Sequence, residues 1–269
     1  MTATQLAAQT SAIVLQVEEA QRRARMVFRA KFVAVWVAII GLLLIGLWLT
    51  DNIDTEWMGT WWLFILTGAP ITILLSVVSI VFATMLAIVG ALGRLSRNAY
   101  LNSLASLYVS FVRGTPLLVQ IFLIYFALPQ VGIRLDSITA GIMALSFNYG
   151  AYMTEIFRAG IQAVSRGLAE AGRALGMQEQ LVFRRVVLPQ AFRIVIPAVG
   201  NDFIAMIKDS ALVSTIAVQE LLWHAQRAGT RTFHTLQAYL IAAFVYWLLT
   251  IAFSYFQERL ERRMARGDR

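Results

Sequence analysis

The chain has 269 residues, 59% of them apolar and 14% charged, with a formal net charge of +8 and no cysteine. Soluble domains run about 45–50% apolar and about 25% charged, so this composition leaves too little polar surface to coat a globule and sets aside most soluble enzyme classes. At about 20 apolar residues per span, the length holds six membrane spans with their loops and no second large soluble domain. Without cysteine there is no disulfide framework and no thiolate metal site. The only histidines, His224 and His234, fall in one late connection, so no metal site is expected.

Uncharged runs mark the spans. The first is 32–50. The tail before it, residues 1–31, carries Glu18, Glu19 and several arginines and suits either an amphipathic surface helix or a solvated arm. The run is longer than a signal-peptide core, and no small-residue cleavage site follows before Asp51, so a retained span is expected. Residues 57–93 carry no charge and are too many for one upright helix. Trp57, Trp61 and Trp62 read as an interfacial belt and 64–92 as the second span. The third, 106–128, is broken by Arg113 and Pro116, and an interior proline implies a kink, with Arg113 at the inner interface. The fourth is 137–157. The fifth, 194–218, is interrupted by Asp202, Lys208 and Asp209, and the sixth is 236–256.

Lysine and arginine in the short flanks give the orientation. Basic residues crowd the N-terminal tail (Arg22, Arg23, Arg25, Arg29, Lys31), the second connection (Arg94, Arg97), the fourth (from Arg158 to Arg193) and the C-terminus (from Arg259 to Arg269). The opposite side holds only Arg134, Arg227 and Arg231, and its first loop is acidic, with Asp51, Asp54 and Glu56. An all-α membrane protein of six transmembrane helices, with both termini cytoplasmic, is the expectation. The basic excess is thus an orientation signal, and no nucleic-acid partner is needed to explain it.

The long connection 158–193 has internal order. Residues 168–175 suit a short helix, with Gly176 the left-handed stop. Residues 178–187 suit a second helix, and Pro189 opens the next span because proline fits a first turn. Periodicity alone favours an interfacial helix pair that has no partner. The residues say more. Glu170-Ala171-Gly172, three residues, Gly176, nine residues, Val186, one residue and Leu188-Pro189 resemble the EAA motif of ATP-binding-cassette importer permeases. Phe111-Val112-Arg113-Gly114-Thr115-Pro116-Leu117-Leu118-Val119-Gln120, Tyr149-Gly150-Ala151-Tyr152-Met153-Thr154-Glu155-Ile156-Phe157-Arg158, Leu188-Pro189-Gln190-Ala191-Phe192-Arg193 and Ile207-Lys208-Asp209-Ser210-Ala211-Leu212 are similar to permeases of the polar amino acid (histidine, glutamine, arginine, opine) uptake family.

The resemblance implies a five-helix core over 61–257, an extra first span and outer loop over 32–60, and a basic cytoplasmic tail over 258–269. It implies that a cytoplasmic ABC ATPase dimer docks on the loop through Gly167, Ala169, Glu170, Ala171, Gly172 and Gly176, with Leu188 and Pro189 where the loop joins its span. It also implies an extracytoplasmic amino-acid-binding protein, a second permease subunit of the same or a related kind, and a bacterial inner-membrane location. The chain has no Gly-x-x-x-x-Gly-Lys-[Ser/Thr] loop, and its only lysines, Lys31 and Lys208, follow no such glycines. It is therefore expected to bind no cofactor and to hold no catalytic residue, with ATP and Mg used by the partner. Two positions depart from the family pattern: Leu168 stands where glutamine is usual, and Gly172 where a third alanine is usual. Glycine costs up to about 1 kcal/mol against alanine inside a helix, which implies a looser coupling helix.

Ionisable residues inside spans cost about 2.5–3.5 kcal/mol each on insertion scales and face cavities or partners. Asn148, Glu155, Lys208 and Asp209, with the neighbouring Ser210, offer both charges and neutral hydrogen-bonding groups, as a zwitterionic amino acid requires. They are the candidate substrate pathway. The competing reading is internal: Lys208 and Asp209 pair with Glu155 or Arg193 to hold the fifth span. An ion-coupled carrier or channel for small polar solutes is the alternative function, although such carriers usually show repeated halves and none is visible. No nucleophile–base or metal constellation favours a membrane enzyme.

Overall fold

The computed structural model describes residues 3–49 and 53–265, and every regular element among them is helical. The chain divides into two units, Met1–Thr55 and Glu56–Arg269. In the first, α1 (Ala3–Leu49) is one uninterrupted helix of 47 residues. At about 1.5 Å per residue it is roughly 70 Å long, more than twice the roughly 30 Å apolar thickness of a bilayer. The basic tail and the first apolar run are therefore one rod, and the boundary at residue 31 is compositional only. Phe28, Phe32 and Trp36 follow one another along it at the four-residue spacing that brings helical side chains together, with ring centroids 6.3 and 6.1 Å apart. Thr50, the expected end of the first span, lies outside the described residues.

The second unit opens with α2 (Thr55–Leu66) and α3 (Ala69–Leu95). A single helix over 64–92 was the expectation. Instead the helix breaks at Thr67-Gly68, and residues 64–66 belong to α2. Pro70 in the first turn of α3 has no N–H to carry the ladder back. Gly68 lies so close to the Glu220 main chain that a Cβ would sit 2.7 Å from it, and only glycine allows that approach. The third span also departs from expectation. α4 (Ala99–Arg113) ends at Gly114, α5 (Leu117–Phe122) begins after Pro116, and the line continues through a π turn and a 3-10 turn to Val131. The two arms meet at 107°. Gly114, Thr115 and Pro116 leave the helix altogether, so the chain makes a corner rather than a kink.

α6 (Ser137–Ala163) starts at Asp136, whose carboxylate accepts from the Thr139 amide at 3.0 Å and the Thr139 hydroxyl at 2.6 Å. These bonds hold the Asp136 carboxyl below its usual range. The longest contact in the unit is between α3 and α6, and small residues make it possible. Ala83, Ala87, Gly90 and Ala91 of α3 are buried, as are Gly141, Ala144, Gly150 and Ala151 of α6. Small residues let backbones approach closely where water supplies no driving force.

α7 (Arg166–Ala174) and α8 (Glu179–Val182) precede α9 (Leu188–Asp209), with a π turn over Phe183–Val187 between the last two. The fifth span is α-helical only to Asp209 and then tightens into a 3-10 segment, Ser210–Ile216. The connection that holds His224 is largely a helix, α10 (Leu221–Thr232), and α11 (Thr235–Ala265) closes the unit. One apolar core joins α3, α6 and α9, and a second joins α2, α10 and α11. Among the described residues, Thr55–Leu95 and Thr235–Arg263 are long and apolar enough to cross a membrane, and the bent pair passes the same test as one span.

Candidate functional site

At one end of the second unit, 158–193 forms the two short helices expected of it. α7 ends in a Schellman motif: Gly176 has φ of +76°, its N–H donates to Arg173 at 2.9 Å, and the Met177 N–H donates to Gly172 at 3.2 Å. Arg173 and Glu179 join the two helices through an exposed ion pair of 2.5 Å. The guanidinium holds the Glu179 carboxyl below its usual range. Gly172 is the buried residue of α7, and a Cβ there would meet Val182 at 3.2 Å. The glycine thus seats α7 closely on α8 and offsets part of its propensity cost. Gly167, Glu170 and Ala171 are exposed on the other side of α7, beside half-buried Ala169, and Leu168 and Leu175 are 47% and 82% exposed. α8, the π turn and α9 run on without a break. Leu188 and Pro189 open α9, and the π turn absorbs the hydrogen bond that Pro189 cannot make.

The five pathway candidates separate. Glu155 is held by Arg94 at 3.0 Å and Arg158 at 2.7 Å, with side chains 18–28% exposed. Arg94 also donates to Ser106, and Asn102 donates to the Arg94 carbonyl at 2.7 Å. This cluster ties α3, α4 and α6 together near the coupling loop. An internal pairing for Glu155 was foreseen, but with Lys208, whereas the structure uses arginines of α3 and α6. Roughly two turns back along α6, at about 1.5 Å per residue, the partners are neutral. Asp209 accepts from the Tyr149 hydroxyl at 2.7 Å and has no ion-pair partner among the described residues. Asn148 donates to Gln120 at 3.1 Å. The Ser210 hydroxyl is buried and donates to the Ile207 carbonyl at 2.7 Å. Lys208 is exposed and does not join Glu155. The structure therefore links Asp209 to α6, places Asn148 beside that link, and sets Glu155 and Lys208 apart from it. Among the described residues no group of three metal-ligand side chains occurs.

Comparison with known proteins supplies the family. Residues 81–266 match the family described as binding-protein-dependent transport system inner membrane component. The chain belongs to that permease family. Among its relatives, the permease is 43% identical over 208 residues to the L-cystine transport system permease protein TcyB of Bacillus subtilis (strain 168), covering 77% of this chain and 89% of that one. It is 37% identical to the arginine transport system permease protein ArtQ of the same organism, covering 76% and 94%. Among solved structures, an amino acid ABC transporter crystallised with histidines superposes with a TM-score of 0.75 at 38% identity, covering 78% of this chain and 99% of that one. The MetNI methionine transporter shares the fold at a TM-score of 0.64 and 21% identity.

Several residues that organise the permease escape sequence reasoning. Glu220 is fully buried. It accepts from Tyr246 at 2.5 Å, Thr72 at 3.3 Å and the Trp223 amide at 2.8 Å, so it caps α10 and joins α3 and α11. A lone acid between Val218 and Leu221-Leu222 was its only signal. His234 stacks on Trp57 with centroids 5.0 Å apart, and His224 meets Phe64 edge-on at 5.0 Å, so both histidines pack against the tryptophan-rich helix. Gln120 and Tyr149 lie within quoted motifs, but nothing in their spacing says which partner each one takes.

Proposed function

We propose that this permease is the membrane-spanning subunit of an ATP-driven importer of polar amino acids. It crosses the bacterial inner membrane six times with both termini in the cytoplasm and works beside a second permease subunit. A cytoplasmic ABC ATPase dimer docks on the exposed Glu170 side of α7, and an extracytoplasmic amino-acid-binding protein delivers the cargo at the opposite end, which carries α2 and α10. The relatives' own substrates, cystine and arginine, support an amino acid as cargo. The charge asymmetry of the connections supports the orientation.

The observation that carries the reading is mechanical. A capped helix pair runs without a break into α9, and the far end of α9 bears Asp209. Closure of the ATPase pair pushes α7 and α8, which tilts α9 and opens the pathway outward. Hydrolysis lets it revert. Asp209 supplies the negative partner for the cargo's ammonium group, since among the described residues it is matched by a phenol and by no cation.

The test is reconstitution in proteoliposomes with the ATPase and binding protein that co-purify with it, assayed with L-cystine, L-arginine and L-glutamine. Uptake of at least one of the three should require both ATP and the binding protein. Uptake that survives ATP removal but collapses with the ion gradient would overturn the reading.

A further inference from the structure

Gln120 is 5% exposed and sits on α5, just past the 107° corner. Its amide nitrogen donates to the Val112 carbonyl at 2.8 Å, the Thr115 carbonyl at 3.1 Å and the Thr115 hydroxyl at 2.8 Å. Those groups belong to the last turn of α4 and to the corner itself, where helix-end carbonyls lack ladder partners. The amide oxygen accepts from Asn148 of α6 at 3.1 Å. The next residue, Tyr149, is 6% exposed and donates to Asp209 of α9 at 2.7 Å. A line of polar contacts thus crosses from the corner, through Gln120 and the Asn148-Tyr149 dipeptide, to the mid-span acid. Each contact is buried or half-buried among apolar helices, where an unmade hydrogen bond is costly.

We propose that Gln120 is a positioning residue for transport. It clamps the corner and, through Asn148 and Tyr149, fixes where the Asp209 carboxylate meets the cargo's ammonium group. This rests on the substrate-pathway reading of Asp209. It assigns Asn148 to the support of the site, with its side-chain nitrogen already given to Gln120.

The test uses the complete importer in proteoliposomes and the amino acid among L-cystine, L-arginine and L-glutamine that the wild type takes up fastest. Gln120→Asn withdraws the amide by one methylene, and its KM should rise about tenfold while the maximal rate changes less than threefold. Pairing it with Asn148→Gln gives the methylene back across the same contact and should return KM to within threefold of wild type. A residue that only held the corner would not be rescued, because Val112 and Thr115 would still lack their donor. Tyr149→Phe removes one hydroxyl from an otherwise unchanged ring, and its KM should also rise about tenfold. This variant decides the matter if Gln120→Asn fails to reach the membrane. An unchanged KM in Tyr149→Phe, or a double variant no better than Gln120→Asn, would overturn the proposal. Asp209→Asn separates the two levels: if it transports normally, the pathway reading itself falls; if it is inactive while Tyr149→Phe is normal, only the role of Gln120 falls.

Discussion

Two acids of similar sequence character end up in opposite circumstances. Near the coupling loop, Glu155 is matched by two guanidinium groups, Arg94 and Arg158, and the exposed Glu179 by Arg173. On α9, Asp209 meets a phenol and, among the described residues, no cation. A carboxylate balanced by arginines from two helices acts as a staple, because removing it strands like charges against each other. A carboxylate with a neutral hydrogen-bond partner keeps its charge available. Position inside a span is therefore a poor guide to function, and the sign and number of partners are better ones.

The largest expected effect tests the mid-span half of this contrast. Asp209→Asn should lower uptake on the order of 100-fold, as losing about 2–3 kcal/mol of charge-pair contact implies. Membrane abundance and basal ATP hydrolysis should stay near wild type. Uptake assays beside quantitative blotting check it, and low abundance with normal uptake per molecule would assign Asp209 to the scaffold.

Glu155→Gln should do the reverse. Leaving Arg94 and Arg158 unmatched should cost about 2 kcal/mol, less than the roughly 3–5 kcal/mol of a fully buried pair because this one is partly solvated. Abundance and melting temperature in detergent should fall, while uptake per molecule persists. Retained stability with lost uptake would put both acids in the pathway and erase the contrast.

Glu170→Lys asks whether the charged end serves a partner. Glu170 is exposed, so the permease should fold and insert normally while uptake falls several-fold and less ATPase co-purifies. Wild-type transport would mean that α7 is only an interfacial helix.

The smallest effects concern how α7 is seated. Gly172→Ala gains helix propensity worth up to about 1 kcal/mol but presses a methyl group toward Val182, so its net effect on melting should be within about 1 kcal/mol of zero. Acidification should loosen the same pair of helices. A carboxylate whose pKa is lowered on folding contributes stability above its unfolded value and loses it as pH falls through the folded one. Protection factors across residues 166–182, which correct for the intrinsic pH dependence of exchange, should therefore fall below the ordinary glutamate range and be unaffected at neutral pH. Arg173→Gln should remove that pH response.

Much of the fold was legible because membrane insertion imposes simple rules. Uncharged runs located the long apolar helices Thr55–Leu95 and Thr235–Arg263, Gly176 located the end of α7, and Pro189 the first turn of α9. The coupling loop was legible for a second reason: its spacing is a pattern of local turns, and local turns are written in consecutive residues. The corner at Gly114-Thr115-Pro116 was read as a kink because proline alone explains a modest bend. The full 107° brings the Gln120 amide onto the carbonyls left behind at Val112 and Thr115, and seeing that requires knowing where α5 lies. Glu220 was overlooked for the same reason, since Thr72 and Tyr246, which satisfy it, are far away along the chain.

By itself, then, the amino-acid sequence determined that this is an all-helical membrane permease with a pair of short helices between residues 158 and 193. Hydropathy, turn residues and motif spacing act over short stretches of chain, so they survive in one dimension. The tertiary structure alone decided which acid is matched by arginines and which by a phenol. That choice depends on whether Arg94 or Tyr149 reaches a given carboxylate, and such distances between helices exist only once α3, α6 and α9 have packed.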